Sequence, residues 1–238
     1  MHRVAIRQEI IDRVMARRGR LRWFDRLDAA KTALVTVDMQ STFCAPGGPA
    51  EVPAARGIVP NINRLSAGLR RLGCPVIWVL HANTQSSGRS DWPLFFEHVV
   101  AAEVRERTLE SLEPGRQQVW PELDTAAEDI IIAKNRYSAL VPGSSTLERV
   151  LRALGVDTLL IAGTKTNVCC ESTARDAMML DYRVIVLSDA TAARTLEEHV
   201  ASLNNLALFF ADVMSVDEAL QRLALDTQIA MPQAPVRV

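Results

Sequence analysis

From residue 29 onward, short continuous apolar runs alternate with longer segments whose apolar positions recur at helical spacing. The runs 33–38 (ALVTVD), 75–80 (PVIWVL), 129–133 (DIIIA), 158–163 (TLLIAG), 183–188 (RVIVLS) and a shorter one at 212–215 read as six strands. They are short and rich in β-branched residues, and their unbroken apolar character predicts burial on both faces. Between them, 62–72, 94–112, 146–154, 168–180, 196–210 and a segment after 215 read as helices, with 94–112 forming one or two. Gly73 and Gly155 close two of these helices. Strands alternating with helices imply an α/β fold, a parallel sheet joined by right-handed crossovers.

Residues 1–28 follow another pattern. Ile6, Ile10, Ile11, Val14 and Met15 recur at helical spacing, and eight arginines against four acids give the segment a local charge of +4. This is an amphipathic basic helix, expected to serve as an arm that packs on the domain or on a sister subunit. The chain thus divides into an arm (1–28), one α/β domain (29–231) and a disordered tail (232–238).

Composition narrows the setting. The chain has 238 residues, a net charge of −1, 48% hydrophobic and 23% charged residues, as in ordinary globular proteins. The near-zero charge gives no electrostatic case for nucleic acid, and no apolar run approaches the roughly 20 residues of a membrane span. Four cysteines are too sparse for a disulfide scaffold, so free thiols in a reducing cytoplasm are expected.

Open parallel sheets bind ligands beyond the carboxyl ends of their strands, where strand order reverses. The first strand ends at Asp38, the third at Lys134, and the fourth runs through Gly163 into Cys169 and Cys170. An acid, an amine and a thiol therefore stand at three strand tips. A cysteine at a helix start beside a lysine is expected to favour the thiolate, and a neighbouring aspartate can move its proton. The sequence lacks G-x-G-x-x-G after the first strand, a phosphate-binding P-loop and a G-x-S-x-G elbow. His2, His81, His98 and His199 show no metal-ligand spacing, so neither metal nor cofactor is predicted.

Three blocks carry a resemblance that spans about residues 30–220. They are Val37-Asp38-Met39-Gln40 with Phe43, Lys134-Asn135-Arg136-Tyr137-Ser138, and the long string from Gly163 to Ala177 (GTKTNVCCESTARDA). The chain resembles the isochorismatase-like cysteine hydrolases, and in motif most of all their ureidoacrylate and N-carbamoylsarcosine amidohydrolase branches. The resemblance implies a Rossmann-like three-layer αβα sandwich with a six-stranded parallel sheet of order 3-2-1-4-5-6. It implies a catalytic triad of Asp38, Lys134 and Cys169, a cis peptide at Thr164–Lys165, and an oxyanion hole formed by the backbone N–H groups of Lys165 and Cys169. Cys169 rather than Cys170 is the nucleophile because it lies six positions after the motif glycine. Gln40, Phe43, Asn83, Arg136 and Tyr137 become candidates for substrate contact, while Glu171, Arg175 and Asp176 brace the helix. The implied activity is hydrolysis of a C–N bond in a small amide or carbamoyl (ureido) compound through a thioester, with release of ammonia, by a homo-oligomer (dimer or tetramer). The alternatives are a nicotinamidase- or isochorismatase-type hydrolase, or a non-catalytic binding protein that keeps the fold.

Overall fold

In the computed structural model, residues 6–87 and 89–230 are described; residues 1–5 of the arm, Gly88 and the expected 232–238 tail lie outside them. The six strands of the main sheet are β1 Thr32–Val37, β2 Val76–His81, β3 Ile130–Lys134, β4 Thr158–Thr164, β5 Arg183–Ala192 and β6 Asp212–Met214. They form one parallel sheet in the order β3-β2-β1-β4-β5-β6, so the chain reverses direction of travel between β1 and β4. The α-helices of six or more residues are α1 Gln8–Arg18, α2 Val59–Arg71, α3 Pro93–His98, α4 Ala102–Ser111, α5 Leu147–Ala153, α6 Glu171–Met179, α7 Leu196–Phe209 and α8 Val216–Ala230.

Alternate residues of each central strand feed two separate cores, which is why the strands read as continuous apolar runs. Ala33, Val35 and Val37 of β1 and Leu159 and Ile161 of β4 pack with α1, α5, α6 and α7. Leu34, Trp78, Leu160 and Ile185 face the other way, against α2 and α8. The result is a three-layer αβα sandwich with the strand order 3-2-1-4-5-6. Local chemistry fixes the helix ends. Pro60 opens α2 and Gly73, at φ 75°, follows its end. Thr195 and Glu198 form a reciprocal capping box at the start of α7.

Three elements differ from their sequence patterns, and a fourth, 94–112, takes one of its two expected forms. β3 lies at the sheet edge, so Ile131 is 63% exposed and its run is not buried on both faces. The 94–112 segment is two helices, broken at 99–101. β5 continues to Ala192, after a register shift opposite Ile161 and Gly163. The helix expected from 168 begins at Glu171, and Thr166–Cys170 form a π turn before it.

The described part of the arm packs on its own chain. Ile10 and Val14 of α1 are buried in the core shared with α7. Arg7 donates its N–H to Asn204, Arg17 bonds the Leu208 carbonyl, and Arg22 forms a two-point ion pair with Glu218 at 2.6 and 2.8 Å. The Asp212 carboxylate accepts the N–H groups of Trp23 and Phe24. Among the described residues, no helix is long and apolar enough to cross a membrane.

Candidate active site

β1 sits between β2 and β4, so the tips of the central strands converge. Asp38 follows β1 directly, in the left-handed region at φ 54°, and its N–H donates to the Val79 carbonyl at 2.8 Å. β4 closes on β1 at Gly163, which pairs with Val37. A Cβ at 163 would lie 2.1 Å from the Val37 oxygen, so glycine alone permits this approach. Lys134 ends β3 in register with His81 at the end of β2. Cys169 sits in the π turn beyond β4, where the Lys165 carbonyl accepts the N–H groups of both Val168 and Cys170 at 3.1 Å. The peptide between Thr164 and Lys165 is cis.

The ammonium of Lys134 is the centre of the cluster. Its Nζ lies 2.9 Å from Asp38 Oδ2, 3.0 Å from the Arg136 carbonyl oxygen, 3.2 Å from His81 Nδ1 and 3.5 Å from Cys169 Sγ. The Lys134 and Asp38 side chains are wholly buried. Donor atoms of Asp38, His81 and Cys169 lie within 4.8 Å of one another, a set that by composition could hold a metal ion. The cation these three groups surround is instead the lysine.

Burial is the largest influence on every titrating group here. It raises the Asp38 carboxyl above the ordinary range despite the opposing charge of Lys134. Burial alone would lower Lys134, but Asp38 and the Cys169 sulfur outweigh it and the amine is raised. The Cys169 thiol is pushed up to about 12 by burial and by Asp38, more than Lys134 can offset. Burial thus works against the expected bias towards thiolate, and it raises the neighbouring Asp38 carboxyl as well. His81 is pushed well below the usual histidine value by burial and by Lys134, weakly opposed by Asn83, and is neutral. A neutral ring beside an ammonium accepts at Nδ1 and carries its proton on Nε2.

This geometry has relatives. An isochorismatase domain profile matches residues 32–218, most of the chain. The chain belongs to the isochorismatase family. A ureidoacrylate amidohydrolase RutB of Pseudomonas syringae pv. syringae is 35% identical over 208 residues, covering 81% of this chain and 84% of that protein. A protein of Arabidopsis thaliana described as a probable inactive nicotinamidase is 36% identical over 173 residues, covering 72% of this chain and 86% of its own. The crystal structure of a cysteine hydrolase from Pseudomonas syringae pv. phaseolicola 1448A superposes with a TM-score of 0.72 at 29% identity, covering 87% of this chain and 97% of that one. Membership in the isochorismatase family, with a buried carboxylate, ammonium and thiol clustered beyond the central strands, makes this chain a hydrolase.

A cavity of about 620 Å³ opens over Cys169. Of the residues singled out in the sequence, Phe43 and Tyr137 line it, as do Lys165 and Cys169. Gln40, Asn83 and Arg136 do not. Gln40 is buried and spends its amide on the backbone of His81, accepting its N–H at 2.7 Å and donating to its carbonyl at 3.0 Å. Asn83 donates to Asp91 Oδ1 at 2.7 Å and to the Asn135 carbonyl at 3.3 Å. The Arg136 guanidinium bonds the carbonyls of Asn135 and Asp91 and lies over the Trp92 ring. Cys170 points into the core, with Sγ 3.8 Å from the Ala162 carbonyl oxygen. Glu171 accepts from Ser202, Asn205 and Arg175, and Thr166 bonds His199 at 2.8 Å, so side chains of α7 anchor the π turn from behind.

Sequence reasoning missed His81 and Arg194, both on the cavity wall. His81 was findable, because it ends the strand next to the one that ends in Lys134. Arg194 was not, because the pattern stops β5 at 188 and leaves the following residues unplaced.

Proposed function

We propose that this protein is a cysteine-dependent amidohydrolase that cleaves a C–N bond of a small amide or carbamoyl (ureido) compound and releases ammonia. The observation that carries this reading is the buried Lys134 amine within 3.5 Å of a carboxylate and a thiol that faces a cavity. In the proposed cycle Asp38 accepts the Cys169 proton as Sγ bonds to the substrate carbonyl carbon. The resulting oxyanion is received by the backbone N–H groups of Lys165 and Cys169. Collapse of this adduct breaks the C–N bond, and the leaving nitrogen takes the proton from Asp38 and departs as ammonia. Water then attacks the thioester and gives a proton to Asp38. The C–S bond breaks, and that proton returns to sulfur. Lys134 stays charged throughout and offsets the negative charge that passes between Asp38 and Cys169.

Phe43 and Tyr137 shape the wall in this reading, while Gln40, Asn83 and Arg136 hold the strand tips that carry His81 and Lys134. The RutB relative, named for ureidoacrylate, supports the carbamoyl side of the substrate class. Four buried cysteines, none in a disulfide, suit a reducing cytoplasm. Ammonia release over a panel of ureides, carbamoyl amino acids, nicotinamide, maleamate and biuret tests the reading. Cys169→Ser is expected to lose at least about 10³-fold in rate on any substrate found, whereas Cys170→Ser stays within a few-fold. Turnover that survives Cys169→Ser would place the chemistry elsewhere.

A further inference from the structure

We infer that the substrate carries an apolar body next to its reacting amide or carbamoyl group. This rests on the amidohydrolase reading and adds what the cavity walls select. The cavity's reacting end holds Cys169, His81 and Tyr137. The wall contributed by α3, α4 and their junction is hydrocarbon: Phe95, Val99, Val100, Val104 and Leu112. Val99, just after α3, is 63% exposed, so this apolar surface is not closed off by the chain itself.

Among the polar groups interspersed on the wall, those of Thr108, Thr42 and Glu51 are spent inside the protein, while Lys165 and Arg194 also line the cavity. The Thr108 hydroxyl donates to the Val104 carbonyl at 2.7 Å, and the Thr42 hydroxyl donates to the Ser111 carbonyl at 3.2 Å. The Glu51 carboxylate accepts from the Gly47 N–H and from Arg56. What remains for contact along this side is carbon, and carbon wetted by solvent favours an apolar occupant. Size agrees. At about 620 Å³ the cavity falls mid-range for ligands of roughly 300–1,000 Å³ sites, far more space than a bare amide or ureide fills.

The test is a homologous series of straight-chain primary amides, from acetamide to octanamide, and the matching N-alkylureas, followed by ammonia release. Each added methylene that reaches the apolar wall is expected to raise kcat/KM about fourfold, until the wall is covered. Val104→Phe, which fills the space, is expected to reduce the ratio of kcat/KM for the longest to the shortest member at least tenfold. Cys169-dependent release that stays flat or falls with chain length, or a ratio unmoved by Val104→Phe, overturns the inference and leaves the amidohydrolase reading standing. Absence of Cys169-dependent release from every amide and ureide overturns that reading and this inference with it.

Discussion

Three hydrogens on the Lys134 ammonium face four acceptors, and their distances rank them: Asp38, the Arg136 carbonyl, His81 and, last, Cys169. The 3.5 Å contact to sulfur is itself an ordinary N–H···S hydrogen bond, so the lysine serves the thiol along with the carboxylate. In the proposed cycle His81, 3.2 Å from the Lys134 ammonium, would act through it as a positioning residue. His81→Ala is expected to lower kcat about tenfold with KM nearly unchanged, and His81→Asn, which restores an acceptor, to recover part of the loss. Steady-state kinetics on one substrate separates the two parameters, and an equal loss in both variants would mean that His81 only fills space. Removing the lysine is harsher. Lys134→Met leaves a buried carboxyl without its partner and is expected to cost about 3–5 kcal/mol, read by denaturant unfolding, less whatever Asp38 regains by taking up a proton. The pH dependence follows from the same burial. In the proposed cycle Asp38 must be ionised to act as base, and its pKa lies above the ordinary aspartate value of about 3.9. Activity accordingly falls as pH drops through that raised value, and the acid limb of kcat/KM lies above pH ~4. Lys134 is raised as well, so its ammonium persists on the alkaline side and the plateau is broad. A neutral His81 adds no inflection near pH 6–7.

At the scale of elements, the central strands were legible because burial on two faces leaves an unbroken apolar signature. The edges were not. Ile131 reads like its neighbours but faces solvent, since an edge position is decided by strand order and not by composition. The π turn at Thr166–Cys170 was also hidden, because its apolar and small residues fit helical periodicity equally well. Its true form shows instead in the Lys165 carbonyl, which accepts an N–H five residues on, and in the anchors to His199 and Ser202 from α7. Gly163 is the element-scale feature on which the site depends. It lets β4 approach β1 at Val37, one residue before Asp38 leaves the strand. Gly163→Ala is expected to destabilise the fold by at least about 3 kcal/mol, the upper end of ordinary overpacking, because the clash is with backbone that cannot swing aside. Chemical denaturation measures it, and a change below about 1 kcal/mol would show that the two strands can part without loss.

For the whole molecule, the strand order explains why residues from 38 to 169 meet. Two parallel half-sheets run outward from β1 and β4, and their shared tips form the site. The cluster's place could be read from the sequence because Asp38 and Lys134 fall at the ends of their strands and Cys169 in the turn that follows β4. The cavity could not, since its wall comes from α3 and α4, whose packing no periodicity specifies. The arm belongs to this level too. Ile10 and Val14 complete the core over α7, and each buried side chain contributes up to about 1.5–3 kcal/mol. Deleting residues 1–18 is expected to lower the denaturation midpoint, and an unchanged midpoint would mark the arm as dispensable to the fold. The central claim, that Cys169 carries the acyl or carbamoyl group between two half-reactions, is tested most directly by intact mass and peptide mapping of enzyme acid-quenched during turnover. An adduct of the substrate's mass less ammonia is expected, confined to Cys169, present in Cys170→Ser and absent in Cys169→Ser. Turnover with no adduct at any time point, or an adduct on another residue, would contradict it.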